Sequence, residues 1–159
     1  MDKHKQSFFI LFVCGGAIVF YLILRFLSEN DEARLRKVVH VAAMAVEEEN
    51  LSRCGSLISE GYLDGYGNDK TAVLKRAEHI FKNYRNIKVE IKKLTIDTEK
   101  SPPEVDVAFK CYFRTLKKEQ DYYDVGRFKV YFKNDGRGWK IQSMEYEGFQ
   151  EMLFLHEVA

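Results

Sequence analysis

Apolar and polar positions change their period along this chain, and each change marks a different kind of element. From Ser7 to Leu27 the side chains are almost all apolar, with no charge between Phe8 and Leu24. At 1.5 Å of rise per residue, roughly 20 such residues cross a hydrocarbon core of about 30 Å, so the pattern predicts a transmembrane helix over 7–27 behind a short tail, 1–6. A cleaved signal peptide fits less well, because bulky Leu22, Ile23, Leu24, Phe26 and Leu27 run straight into Ser28 and Glu29. A lipoprotein signal at Cys14 would put Val13 where a small residue is wanted.

Beyond residue 28 the period becomes that of amphipathic helices. Asn30 or Asp31 can cap a helix running to about Asn50, with Leu35, Val38, Val39, Ala42, Ala45 and Val46 on one face. A helical turn or two follows from Leu51 to Ile58, then a loop of turn residues from Glu60 to Asp69. Another helix extends from about Lys70 to Tyr84, with Val73, Leu74, Ala77, Ile80, Phe81 and Tyr84 facing inward.

From Asn86 the period drops to two. Ile87, Val89 and Ile91 alternate with Lys88, Glu90 and Lys92, and Lys92-Lys93 shifts the phase to Leu94 and Ile96, as a bulge would. Ser101 to Glu104 is a connecting turn, and Val105, Val107, Phe109, Cys111 and Phe113 form the clearest alternation. Further strands, from about Gln120 to Lys133 and from Gly138 to Tyr146, flank an Asp135-Gly136 hairpin signal. Only the preceding helices are available to cover the apolar sheet face. The expectation is an α+β domain over 28–147, with about three helices on a curved, mainly antiparallel sheet, and an apolar tail over 148–159.

Charge narrows the classes. Of the 25 Lys and Arg only Lys3, Lys5 and Arg25 precede residue 28, and of the 24 acids only Asp2 does, so the domain is nearly neutral. No basic face for nucleic acid is implied. Lys3 and Lys5 before the apolar run suit a single-pass anchor with the domain extracytoplasmic, although Arg25, Arg34, Arg36 and Lys37 beyond it count the other way. Glu47-Glu48-Glu49 opposes the helix macrodipole and should lean on Arg53 or face water. Cys54 and Cys111 read as two buried thiols or as one bridge.

Long helix, short helix, loop, third helix and then long strands resemble the nuclear transport factor 2-like superfamily, which includes ketosteroid isomerase, scytalone dehydratase and SnoaL-like cyclases. The passage Ala77-Glu78-His79-Ile80-Phe81-Lys82-Asn83-Tyr84-Arg85-Asn86-Ile87-Lys88-Val89-Glu90-Ile91, a helix ending in aromatics and entering a strand, carries the likeness best. The resemblance implies a cone whose open end receives a ligand or substrate. It also implies an acid–base set, of which the first-helix Tyr of ketosteroid isomerase has no counterpart between Asn30 and Asn50.

Candidate cavity or rim residues follow from strand parity and from the resemblance. Asp64 falls near the family base, in a stretch that is also ordinary turn chemistry. Tyr62 and Tyr66 flank it as rim residues. Asp124 shares parity with Phe128, Val130 and Phe132, provided that Gly126 marks no bulge; Ser143 and Glu145 share parity with Trp139 and Ile141. The plainer reading, and the favoured one, places both acids at the solvated ends of their strands. Asp106 has outward parity, and Tyr112, Tyr122, Tyr123 and Tyr131 read as sheet-surface aromatics. There is no H-E-x-x-H, C-x-x-C, G-x-S-x-G or phosphate loop, so no metal, cofactor or nucleophile is expected.

A missing catalytic set and an apparent anchor together favour a membrane-held, non-catalytic binding or assembly module. Its expected partners are the membrane, a protein or second copy on the outer sheet face, or a small apolar ligand. The alternative is an isomerase or dehydratase acting in the cone.

Overall fold

In the computed structural model, which describes Ile18 and residues 31–117 and 120–148, the change of period near Asn86 marks the passage from helix to sheet. The chain divides into units Met1–Ala33 and Arg34–Ala159. Of the first, Ile18, helical and exposed, and residues 31–33 are described. The fold belongs to the second.

Helix α1 covers 31–47 among the described residues, α2 Leu51–Leu57 and α3 Lys70–Asn83. The α1 terminus forms because Glu49 takes a left-handed φ of 52° while Asn50 N–H donates to Ala45 O and Glu49 N–H to Val46 O. Asn50 then caps α2, its side chain accepting from Arg53 N–H at 2.9 Å. The acidic run is fully engaged: Glu48 meets Arg53 at 2.6 Å, Glu49 meets Arg85 at 3.1 Å, and Glu47 accepts from Val89 N–H at 2.8 Å. Asp69 caps α3 through Ala72 N–H, and α3 passes without a loop into the first strand.

Strands β1 (Tyr84–Asp97), β2 (Glu104–Thr115), β3 (Asp121–Asn134) and β4 (Trp139–Gly148) form an antiparallel meander in the order β1-β2-β3-β4. Register shifts between Arg85 and Lys88 and between Ile91 and Lys93 bend β1, the second where Lys92-Lys93 breaks the alternation. The free edge of β4 is covered by the 58–63 segment, where Ser59 N–H donates to Ile141 O at 2.9 Å and Leu63 N–H to Gln142 O at 3.2 Å. The core joins Leu35 and Val39 of α1, Ile58 and Tyr62 of the loop, and Val105, Val107, Val130, Phe132 and Ile141 of the sheet. Cys54 and Cys111 are both free thiols.

Several expectations need correction. Among the described residues the sheet closes into no cone: β1 and β4 lie at opposite edges, joined by no ladder, so it is an open four-stranded layer rather than a curled one. The membrane helix over 7–27 falls, Ile18 apart, outside the described residues, as does the tail beyond 148. Among the described residues no helix is long and apolar enough to cross a membrane. The longest described one, 31–47, carries Glu32, Arg34, Arg36 and Lys37. A transmembrane helix preceding the fold, a membrane partner and an extracytoplasmic single-pass placement therefore have no support.

Candidate active site

The inner sheet face, the one that meets the helices, has two ends of different composition. Near the β2 start it is mainly aliphatic and closed, with Val105 fully buried and the Phe132 ring 1% exposed. Beyond Val107, Val130 and Met144 the inward side chains of β2, β3 and β4 become aromatic and less completely buried. Phe109 stacks on Phe128 with ring centroids 5.2 Å apart, Phe128 meets Tyr146 at 5.1 Å, Tyr84 meets Phe113 edge-on at 5.0 Å, and Phe113 stacks on Tyr122 at 6.0 Å. This is a floor of π faces suited to a flat apolar molecule.

Polar groups are set into that floor. The β2–β3 register runs unbroken through Gly126, so Asp124 keeps the parity of Phe128, Val130 and Phe132 and pairs directly with Cys111. Asp124 Oδ2 accepts a hydrogen bond from the Tyr146 hydroxyl at 3.3 Å, and Oδ1 accepts from Val125 N–H at 2.8 Å. Burial, and then the Asp124 charge and hydrogen bond, push the Tyr146 phenol above its ordinary range. The Cys111 thiol is pushed up to about 11 by burial, with Asp124 and Glu47 adding to it. It is thus a neutral thiol at physiological pH rather than a nucleophile. Glu47 reaches the same region from the end of α1 through its bond to Val89, the residue opposite Cys111 on β1.

The other residues singled out by sequence do not join this site. Tyr62, expected at a rim, is 3% exposed in the core, its phenol pushed up to about 12 by burial and by Asp64. Asp64 is turn chemistry: its carboxylate accepts from Tyr66 N–H at 2.9 Å, Asn68 N–H at 2.8 Å and the Asn68 side chain at 2.9 Å. Burial alone would raise the Asp64 carboxyl, but these bonds and Arg76 hold it low, the wrong direction for a base. Tyr66 is exposed. Ser143 and Glu145 lie on the outer face, because a register shift opposite Tyr131 and Phe132 makes Gln142 an extra residue and inverts the parity of β4 beyond it.

That same inversion brings Tyr146 inward, which alternation from Ile141 conceals. Its trace in the sequence is Met144, an apolar residue out of phase with Ile141 that packs against the core. Tyr122, read as a surface aromatic, is part of the floor. The outer face carries Lys110 over the rings of Tyr112 and Tyr123, at 4.8 and 4.1 Å, and Asp106 paired with Arg127. Among the described residues no group of three or more His, Cys, Asp or Glu is placed to hold a metal ion.

No family model and no curated protein matches the chain. Solved structures do. A protein assigned as a scytalone dehydratase from Novosphingobium aromaticivorans is similar with a TM-score of 0.71 at 16% identity, over 83% of this chain and 92% of that one. A nuclear transport factor 2-like superfamily protein from Salmonella enterica serovar Typhimurium gives a TM-score of 0.67 at 10% identity, over 82% and 99%. The hexachlorocyclohexane dehydrochlorinase LinA-type3 from Novosphingobium barchaimii gives 0.65 at 12% identity, over 85% and 97%. The chain has the nuclear transport factor 2-like fold. The expectation of a non-catalytic module, which rested on a missing catalytic set and an apparent anchor, is corrected: the inner face carries a carboxylate hydrogen-bonded to a phenol, and the similar structures include a dehydrochlorinase.

Proposed function

We propose that this protein is a small-molecule enzyme of the dehydratase or isomerase kind, moving a proton on a neutral, ring-bearing substrate laid on the aromatic floor. The observation that carries the reading is the Asp124–Tyr146 hydrogen bond within that floor. Its similarity in fold to the dehydratase and the dehydrochlorinase named above, both of which by name catalyse eliminations, supports the same class.

In a dehydration, Asp124 takes the proton from the carbon beside a carbonyl, and the electrons of that C–H bond become the new C=C bond. The C–O bond on the neighbouring carbon breaks, and the departing oxygen takes the Tyr146 proton and leaves as water. Protonation of Asp124 removes the negative charge that opposed ionisation of Tyr146, so the phenol becomes a better donor as the base is consumed. The proton on Asp124 then returns to the Tyr146 oxygen across their hydrogen bond, restoring both groups. In an isomerisation Asp124 would return the proton to another carbon, with Tyr146 donating to the enolate oxygen meanwhile.

The test is turnover of a panel of neutral β-hydroxy ketones bearing an aromatic ring, followed by the absorbance of the conjugated product. Saturable turnover of at least one member, lowered by about two orders of magnitude or more in Asp124→Asn and less in Tyr146→Phe, is the expected result. Turnover undiminished in Asp124→Asn, or none across the panel above the buffer rate, would contradict the reading.

A further inference from the structure

Tyr146 lies diagonally across the β3–β4 ladder from the residue that decides where its ring can go. Phe128 pairs with Tyr146, and Gly126 pairs with Gly148, so the Tyr146 ring extends along β4 over the backbone of Gly126 toward Asp124. A Cβ built on Gly126 would stand 2.7 Å from Tyr146 Cε2, 2.9 Å from its hydroxyl oxygen and 2.9 Å from Phe109 Cζ. Contacts below 3.0 Å are closer than real Cβ atoms tolerate, and on this side they come from two rings at once. Gly126 has no positive φ and sits in an unbroken ladder, so neither a turn nor a bulge explains a glycine here. The explanation left is space.

We infer that Gly126 is a positioning residue for the proposed proton transfer: the missing side chain is the slot in which Tyr146 lies, and only that slot lets its hydroxyl reach Asp124 past the Phe109 ring. The inference rests on the reading of Asp124 and Tyr146 as an acid–base pair for its catalytic consequence, but not for its geometry. Alanine at 126 would stand too close to both rings, and Tyr146, in the closest contact and 40% exposed on an edge strand, is the freer to leave. Phe109 belongs to an interior strand and stacks on Phe128. The displaced phenol loses the Asp124 bond and part of its burial, both of which hold its proton. Asp124 is the charged group that acts on Tyr146, and Cys111 lies on the far side of Asp124.

The experiment is an ultraviolet tyrosinate titration of the full chain, with the Tyr146 contribution isolated by subtracting the matching Tyr146→Phe protein in each background. Wild type should show a Tyr146 step above the ordinary tyrosine range. In Gly126→Ala that step should return toward the ordinary range, as it should in Asp124→Asn, which removes the charge without adding bulk. Gly126→Ala combined with Phe109→Leu relieves the Phe109 contact but leaves those to Tyr146, so the step should stay near the ordinary range; this pair also keeps the test open if Gly126→Ala alone fails to fold. An unchanged Tyr146 step in folded Gly126→Ala, or a raised step in the folded double variant, overturns the positioning role. If the titration behaves as expected while no substrate turns over, the positioning stands and the enzymatic reading falls; with an active substrate, Gly126→Ala should lower kcat at least tenfold with KM little changed.

Discussion

The two ends of the inner sheet face are built on the same strands and differ in what covers them. At the buried end α1 and the 58–63 segment close over Val105, Val107, Val130, Phe132 and Ile141, and mostly aliphatic side chains, with the Phe132 ring among them, fill the space. At the aromatic end the strands run on with Phe109, Cys111, Phe113, Tyr122, Asp124 and Phe128, all half-buried. The difference separates two uses of one face. Aliphatic packing holds the fold, whereas incompletely covered rings keep a surface apolar while leaving polar groups among them within reach of a ligand.

Mutations should split along that line. Phe132→Ala removes a fully buried ring and should cost about 3–5 kcal/mol in urea unfolding, whereas Phe113→Ala at the aromatic end should cost about 1–2 kcal/mol. Equal losses would erase the distinction. Asp124→Asn should lower turnover by a factor on the order of 10²–10⁴ while the melting temperature moves little. A large loss of stability instead would make Asp124 a structural acid.

Alkaline pH separates the ends by window. The folded state holds the Cys111 proton up to about 11 against an ordinary 9.0, and the Tyr62 proton up to about 12 against 10.0, so the unfolded chain loses each first. Stability therefore falls as pH rises, over the lower window at the aromatic end and over the higher one at the buried end. In denaturant titrations against pH, Cys111→Ala should flatten the first decline and Tyr62→Phe the second. The smallest effect belongs to the outer face. Arg127→Ala breaks the exposed pair with Asp106 beside Gly126 and should change stability by less than about 1 kcal/mol, with turnover unaltered. A drop in turnover would extend the site through the sheet.

The helices, the order of strands and the bulge at Lys92-Lys93 could be read from period alone, because each amphipathic face has one covering partner. The site could be read only in part. Asp124 follows from parity because β3 is regular, but Ser143 and Glu145 were misplaced and Tyr146 missed because one extra residue at Gln142 inverts β4. Tyr62 and Asp64 look alike in sequence as loop residues near a mouth. The fold buries the first and uses the second to tie a turn. The cone came with the resemblance and not from the pattern, because alternation reports which face is buried and carries no information on whether the sheet edges meet.

The most direct test of Asp124 as the proton acceptor on the aromatic floor is deuterium exchange from solvent into the carbon beside the carbonyl of neutral ring-bearing ketones, followed by NMR. Enzyme-catalysed exchange should be seen with the wild type and should disappear in Asp124→Asn while the ketone still binds. Exchange that persists undiminished in Asp124→Asn would contradict that role.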